Sequence, residues 1–470
     1  MMKKVYLVLL LAGIVLRIFS HFIVPNFNVD EISLGNSIKY SNYIDLLYPL
    51  TSLQSAPPLY LLIQKFIISV LPFSFWMNIK ILSFISSILG VLFFYFIIKK
   101  YQFKSIFLLL FIIILFNPFI VYNSLTVKQY TIDLTGIILL IYLFKSNWFL
   151  RYGWIYFIVW CLISNVGLFA CAGYLIYTFF IHKSYVNYKS IIIYFKNNIL
   201  IFLSPFPYLI YFFWYMNQNG AAEQKSFMVN YWANSFIPLN GGFFKYIIYT
   251  VHGLWVYLLN AFEIWGILLM LLMVPFFVYI KKKDLLFKQE IFLLFSILMV
   301  HLILNIFHLY PFSDRLYLYL APLFVLILGS SISELFEIKK IKKYFSVFII
   351  TISMITLFLY SLYTPYSDND VANLYNKLNE LGTKTIYVTE KSMDCIQSFD
   401  EFTDNEFKQG YTFEIIDSKL EKSEYLISRV SKKIKLNVTS PEEEIVQKLI
   451  NQKKIIKINS VNGYNIFQIR

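Results

Sequence analysis

Residues 76–100 read WMNIKILSFISSILGVLFFYFIIKK. Between Lys80 and the Lys99-Lys100 pair there is no charged side chain, and the run 81–98 is apolar apart from three serines. An α-helix rises about 1.5 Å per residue, so ~20 apolar residues cross the ~30 Å hydrocarbon core of a bilayer. A tryptophan at one end and lysines at both suit the two membrane–water interfaces. Comparable runs occur at 5–24, 105–123, 130–146, 152–166, 168–182, 192–213, 261–280, 289–309, 314–334 and 344–363. The whole chain agrees: 470 residues, mean hydropathy +0.63, 58% hydrophobic, with 48 Phe and 37 Tyr. Charged residues make up 14%, against about a quarter in a soluble domain. A water-soluble globular protein is excluded.

The net charge of +14 invites a nucleic-acid partner, but its distribution argues for none. Residues 1–363 hold 26 Lys/Arg and 11 Asp/Glu, whereas residues 364–470 hold 15 and 16. The basic excess belongs to the apolar part. It concentrates in alternate short loops, around Lys3-Lys4, Lys99-Lys100, Arg151, Lys281–Lys283 and Lys339-Lys340. Basic loops mark the cytoplasmic side, so the N-terminus is expected inside. An odd number of spans then puts the tail outside. The first apolar run is too long, and lacks the small-residue cleavage site, for a removed signal peptide. The Ile/Lys/Asn/Phe-rich composition suggests an AT-rich bacterium and places the chain in a bacterial inner membrane. Three cysteines (Cys161, Cys171, Cys395) form no CxxC motif, and the five histidines no HxxxH pair.

The predicted fold class is therefore a polytopic α-helical membrane protein of about eleven transmembrane helices, 1–363, with a small extracytoplasmic α/β domain, 364–470. The outer loop 25–75 carries a predicted surface helix over Pro57–Leu71, opened by Pro57-Pro58. In the tail, Thr385–Val388, Tyr425–Arg429, Lys454–Val461 and Tyr464–Ile469 read as strands. Asn462-Gly463 is a hairpin turn, and Ser440-Pro441-Glu442-Glu443 a helix start.

Ionisable groups in or beside a membrane are costly, so each is a candidate for function. Asp30-Glu31 is the only acidic pair on the outer side of the membrane part. Such a pair could act as a general base, ligate a divalent cation, or simply be hydrated. Lys128-Gln129-Tyr130 with Asp133 opens the fourth predicted span; Lys128 could bind a lipid phosphate, or snorkel and pair with Asp133. Arg315 follows Asp314 in a tight outer turn and offers a planar fork for phosphate, or pairs locally. Lys80 stands at an outer span end. Arg17 lies well inside an apolar run and needs a partner or a cavity.

In order and spacing these segments resemble the GT-C glycosyltransferases, in particular the bacterial branch related to protein O-mannosyltransferases and the aminoarabinose transferase of lipid A. The resemblance covers roughly 1–330. It runs through Arg17, Asp30-Glu31, Gln54-Ser55-Ala56-Pro57-Pro58-Leu59-Tyr60, Lys80-Ile81-Leu82-Ser83, Asn117-Pro118, Lys128-Gln129-Tyr130 and Tyr310-Pro311-Phe312-Ser313-Asp314-Arg315-Leu316. It implies an inverting enzyme that moves a sugar from a polyprenyl-phosphate lipid donor to a lipid, glycan or protein acceptor on the outer face. Asp30 would be the general base, and Glu31 an orienting group or metal ligand. Lys80, Lys128 and Arg315 would hold the donor phosphate. Arg17, Gln54, Pro57, Pro58, Tyr60, Gln129, Tyr130 and Asp133 would line the substrate pocket. Many relatives carry an acid two positions before the motif's basic residue, where this chain has Thr126. That departure favours metal-independent chemistry over a magnesium or manganese ion at Asp30/Glu31. The rival classes are a transporter or flippase, which would show paired halves or matched broken helices, a polymerase or ligase of surface polysaccharide, and a scaffold.

Overall fold

The computed structural model describes residues 2–237 apart from 24–26, 28, 51–53, 102–106 and 182–185. It also describes 248–254, 285–311 and 314–336, and parts of 374–469 that include five strands. The expected spans at 261–280 and 344–363, the helix start at Ser440 and the Asn462-Gly463 turn lie outside the described residues. Helices run α1 (Met2–Ile23), α2 (Val29–Tyr40), α3 (Pro58–Val70), α4 (Phe75–Asn78), α5 (Ile81–Lys100), α6 (Phe107–Phe116), α7 (Pro118–Asn123) and α8 (Tyr130–Leu143). They continue with α9 (Asn147–Ile163), α10 (Asn165–Ile181), α11 (Tyr188–Leu203), α12 (Phe206–Met216), α13 (Ala221–Tyr231), α14 (Lys288–Ile306) and α15 (Ala321–Phe336).

Among the described residues four helical stretches are long and apolar enough to cross a membrane: Lys3–Phe22, Phe75–Lys100, Lys288–Ile306 and Leu316–Ser333. The bent pair α11 and α12, which meet at 51°, offers a fifth. Two expected single spans are thus broken. The run 105–123 splits into α6 and α7 at Asn117-Pro118. Proline cannot donate to the preceding turn, and Asn117 Oδ1 accepts from the Ile120 amide (3.0 Å) to start a new helix. The run 192–213 splits at Ser204-Pro205 for the same reason. α3 lies where the surface helix is predicted. α2 is unforeseen, because its sequence VDEISLGNSIKY has no continuous apolar stripe.

The chain separates into two compact units. The first holds Met1–His21, Ser41–Phe66 and Lys80–Pro365. Lipid tails are as apolar as leucine, so helices here associate through small residues and hydrogen bonds. Along the α5–α8 seam Ser83 Oγ donates to Lys128 O (3.0 Å) and Ser86 Oγ to Thr131 O (3.3 Å). Thr135 Oγ1 returns a bond to Ser86 O (2.7 Å). α10 and α14 meet at Gly173, where a Cβ would lie 2.7 Å from the Ile297 backbone. At the end of the bundle where α5 and α8 finish, Glu290 of α14 accepts from Lys145 Nζ (2.7 Å) and Tyr101 OH (2.9 Å). Burial, and then this carboxylate, push the Tyr101 phenol up.

The second unit holds Phe22–Tyr40, Ile67–Ile79 and Tyr366–Arg470. Its first two pieces touch through Phe22 and Phe73 (ring centroids 6.3 Å apart) and through Lys39 over the Phe75 ring (4.9 Å). The tail forms a five-stranded sheet from β1 (Thr385–Val388), β2 (Thr412–Ile415), β3 (Tyr425–Arg429), β4 (Ile455–Val461) and β5 (Tyr464–Ile469), in the order β2-β1-β3-β5-β4. β1 pairs in parallel with β2 and β3, while β5 is antiparallel to β3 and β4. Tyr387, Leu426, Val446, Ile455 and Phe467 are buried together against it. The four strands read from the sequence are present, with β4 one residue shorter; β2 is additional. The tail is therefore the expected small α/β structure.

Candidate active site

One face of α5 organises the predicted cations of the first unit. Lys80, Ser83 and Ser87 fall at i, i+3 and i+7, on one stripe of the helix. Lys80 stands at the helix start, fully buried, with Nζ 3.4 Å from the His21 carbonyl; the His21 ring stacks on Phe84 (4.5 Å). Ser83 holds the Lys128 backbone, and Ser87 Oγ accepts from Arg17 Nε (2.6 Å).

Arg17 is fully buried, and its remaining donors go to backbone carbonyls: Gly13 O (3.1 Å), Leu115 O (2.7 Å) and Ile114 O (3.2 Å). Those last two belong to the end of α6, where the break at Asn117-Pro118 takes away the amides that would continue the helix. The resemblance places Arg17 in the substrate pocket; in the structure its guanidinium meets the broken helix end.

Lys128 follows a tight turn. The Asn123 carbonyl accepts from Thr126 Oγ1 (2.8 Å) and Thr131 Oγ1 (2.7 Å). Thr126 thus caps the turn. Lys128 is 7% exposed and its Nζ donates to Gln54 Oε1 (2.7 Å). The Gln54 carbonyl accepts from Gln224 Nε2, and Gln224 Oε1 from Tyr215 OH. A relay therefore joins Lys128 to the loop before α3 and to α12 and α13. Pro57 and Pro58 are buried at the start of α3, and Tyr60 OH accepts from Gln64 Nε2 (2.9 Å).

Asp133 does not pair with Lys128. It is 2% exposed and accepts from Ser164 Oγ, in the break between α9 and α10. Gln129 and Tyr130 are also buried, and Gln129 Oε1 has no hydrogen-bond partner among the described residues. The Tyr310-Pro311 turn is pinned by α14. Asn305 Nδ2 donates to Tyr310 O (3.0 Å) and Ser235 O (2.9 Å), and His301 lies 3.2 Å from Pro311 O and 2.6 Å from Tyr319 OH. Burial, and then the Asp133 carboxylate, push the Tyr310 phenol well above its ordinary value. The side chains of Asp314 and Arg315 lie outside the described residues; their backbone forms a short 3-10 helix, Asp314–Leu320.

In the second unit Asp30 and Glu31 occupy the first turn of α2 rather than a loop, where carboxylates favour the helix dipole. Glu31 is 1% exposed and Asp30 half-buried. Consecutive helical residues point ~100° apart, so the pair does not converge as a cation cage. No group of three His, Cys, Asp or Glu side chains comes together among the described residues. Asp30 and Glu31 are thus a pair without a third such ligand among the described residues.

Sequence reading missed Ser164, His301, Asn305, Gln224 and Tyr215. His301 carried a signal, an ionisable side chain in an apolar run. The others become visible only once the helices are packed.

No family model and no curated protein matches this sequence. The fold is similar to that of the crystal structure of ArnT from Cupriavidus metallidurans bound to undecaprenyl phosphate, with a TM-score of 0.50 and 9% identity over 98% of each chain. At that identity the likeness is one of architecture: the chain shares the overall fold of that protein.

Proposed function

We propose that this chain is a glycosyltransferase of a bacterial inner membrane. Its N-terminus is cytoplasmic, and it moves a sugar from a polyprenyl-phosphate donor to an acceptor on the outer face. The observation that carries this reading is Lys128. A buried ammonium is held by a neutral amide, Gln54, just before the Pro57-Pro58 helix. The chain's fold is like that of a protein bound to undecaprenyl phosphate. The contact fixes the ammonium beside the loop that leads into the Pro57-Pro58 helix, which suits a lysine that meets a lipid phosphate.

In the proposed reaction Asp30 accepts the proton of the acceptor hydroxyl. The acceptor oxygen attacks the anomeric carbon from the face opposite the phosphate. The C–O bond to phosphate breaks, its electron pair leaves on polyprenyl phosphate, and the configuration inverts. Lys128, Lys80 and Arg315 stabilise the charge that develops on the leaving phosphate. Asp30 suits the base better than Glu31 because it is the more exposed of the two; Glu31 orients it. No step is routed through a metal.

The test uses the full chain in detergent with undecaprenyl phosphate as the probe. Lys128→Gln removes a charge-assisted contact worth ~1.5–3 kcal/mol, so binding should weaken about 10- to 100-fold. Asp30→Asn should bind the lipid normally and lose about 100- to 10,000-fold in transfer from a polyprenyl-phosphate sugar. Equal lipid binding by wild type and Lys128→Gln would overturn the phosphate assignment. Full transfer by Asp30→Asn would overturn the base.

A further inference from the structure

A cavity of about 540 Å³ opens between α9, α10 and α11, on residues that have no part in the proposed chemistry. Its walls change character along their length. Arg151 near the start of α9 and Ser190 in the first turn of α11 line one end, and Asn197 and Asn198 follow beyond Ile193 and Tyr194. Trp154, Leu200 and Ile201 line it further along the helices. From Ser190 to Ile201 a helix rises ~16 Å, about half the hydrocarbon thickness of a bilayer. Ile193 and Leu200, which line the cavity, are 57% and 52% exposed, so it opens on the outside of the bundle, where lipid lies.

The charge around the polar end has one sign. Lys189, Ile193, Lys196 and Leu200 share a stripe of α11, at i, i+4, i+7 and i+11. The two lysines therefore alternate with the lining residues Ile193 and Leu200 along that stripe. Arg151, Lys189 and Lys196 are exposed, and among the described residues none has a carboxylate within 4 Å. The Arg151 guanidinium lies over the Tyr152 ring (5.2 Å), which holds the group at the rim. Lys145, at the same end of the bundle, is already engaged by Glu290.

A cationic and amide-rich mouth over an apolar floor, half a bilayer deep and open to the side, matches a single glycerophospholipid. We propose that this cavity is a binding site for an anionic phospholipid. The phosphate sits against Arg151 and the α11 lysines, the glycerol region against Asn197 and Asn198, and an acyl chain along Trp154 and Leu200. Basic pockets between membrane helices prefer anionic over zwitterionic head groups. The occupant is a bilayer lipid of the leaflet at this end. It is distinct from any sugar donor, and the assignment does not rest on the transferase reading.

The test is native mass spectrometry of the full chain in detergent. Dioleoyl phosphatidylglycerol and dioleoyl phosphatidylcholine are offered together, so that only the head group differs. Wild type should retain phosphatidylglycerol over phosphatidylcholine about fivefold or more. Arg151→Gln should abolish the preference, and Lys225→Gln, which removes the same charge from α13, should leave it. Asn197→Leu, at an exposed position, should reduce phosphatidylglycerol retention and decides the matter if Arg151→Gln does not fold. Equal retention of the two lipids by wild type would overturn the proposal, as would an unchanged preference in the folded cavity variants. Displacement of phosphatidylglycerol by millimolar inorganic phosphate would show a soluble-anion site and overturn the lipid assignment.

Discussion

Arg17 shows how a side chain in an apolar run is explained by backbone chemistry far away in the sequence. Its charge can lie at membrane depth because three carbonyls and a hydroxyl accept from it. Two of those carbonyls are orphaned by the break at Asn117-Pro118, about 100 residues later. The need for a partner was legible from residue 17 alone. The partner was not, because a helix break does not announce which side chain will cap it. Lysine has no planar fork and cannot reach several carbonyls and Ser87 Oγ together. Arg17→Lys should therefore lower the thermal unfolding midpoint in detergent, by an amount corresponding to ~1–3 kcal/mol for each carbonyl left unsatisfied. Undecaprenyl phosphate binding by the protein that remains folded should be unchanged. A variant with wild-type stability and weakened lipid binding would return Arg17 to the substrate pocket. Lys128 and Asp133 teach the converse: nearness in sequence suggests a pair, but packing hands one to Gln54 and the other to Ser164.

At the scale of elements, apolar length identified the four described helical stretches long enough to cross a membrane, and alternating patterns identified four of the five described strands. What apolar length cannot report is continuity. Both the 105–123 and 192–213 runs are long enough to cross a membrane, and each contains a proline that divides it. α2 escaped because helices are recognised by an apolar stripe, and this one has a weak stripe with Gly35 and Asn36 inside it. Close helix pairing was likewise hidden. Gly173 looks like any glycine in a membrane run, yet it brings the α10 and α14 backbones together, with Ile297 N and Cα both 2.7 Å from where a Cβ would stand. Backbone atoms cannot swing aside as a side-chain tip can. Gly173→Val should separate the two helices and cost about 1–3 kcal/mol, as overpacking does. The expected sign is a lower unfolding midpoint with the mass of a monomer's helices still inserted, read by circular dichroism at unchanged helical content. Gly220, at φ 88° before α13, is the contrasting case, where backbone conformation rather than packing demands glycine.

For the whole molecule, the charge distribution makes the sharpest claim, because it assigns each helix end to a side of the membrane. The end carrying Lys99-Lys100, Arg151 and Lys189 is proposed to be cytoplasmic, and the one carrying Gln54, Lys128 and α13 extracytoplasmic. The order of the helices is consistent with this. α8 starts two residues after Lys128 and ends near Lys145, α9 carries Arg151 near its start and ends just before Ser164, and Ser164 meets Asp133 in the first turn of α8. The consequence can be read without knowing any substrate. Cys161 and Cys171 are each 1% exposed, so they give little background to a thiol reagent. With Cys395→Ser as the starting chain, Lys225→Cys should react with a membrane-impermeant maleimide in spheroplasts, whose inner membrane is intact. Lys189→Cys and Lys99→Cys should react only after that membrane is opened. The lysines chosen are exposed, so their replacement leaves the packing alone. The opposite pattern would invert the chain and place the Lys128 relay in the cytoplasm. A lipid-linked donor at the outer face would then be unreachable, and the transferase reading would fail together with the orientation, while the phospholipid cavity would stand unchanged in the opposite leaflet.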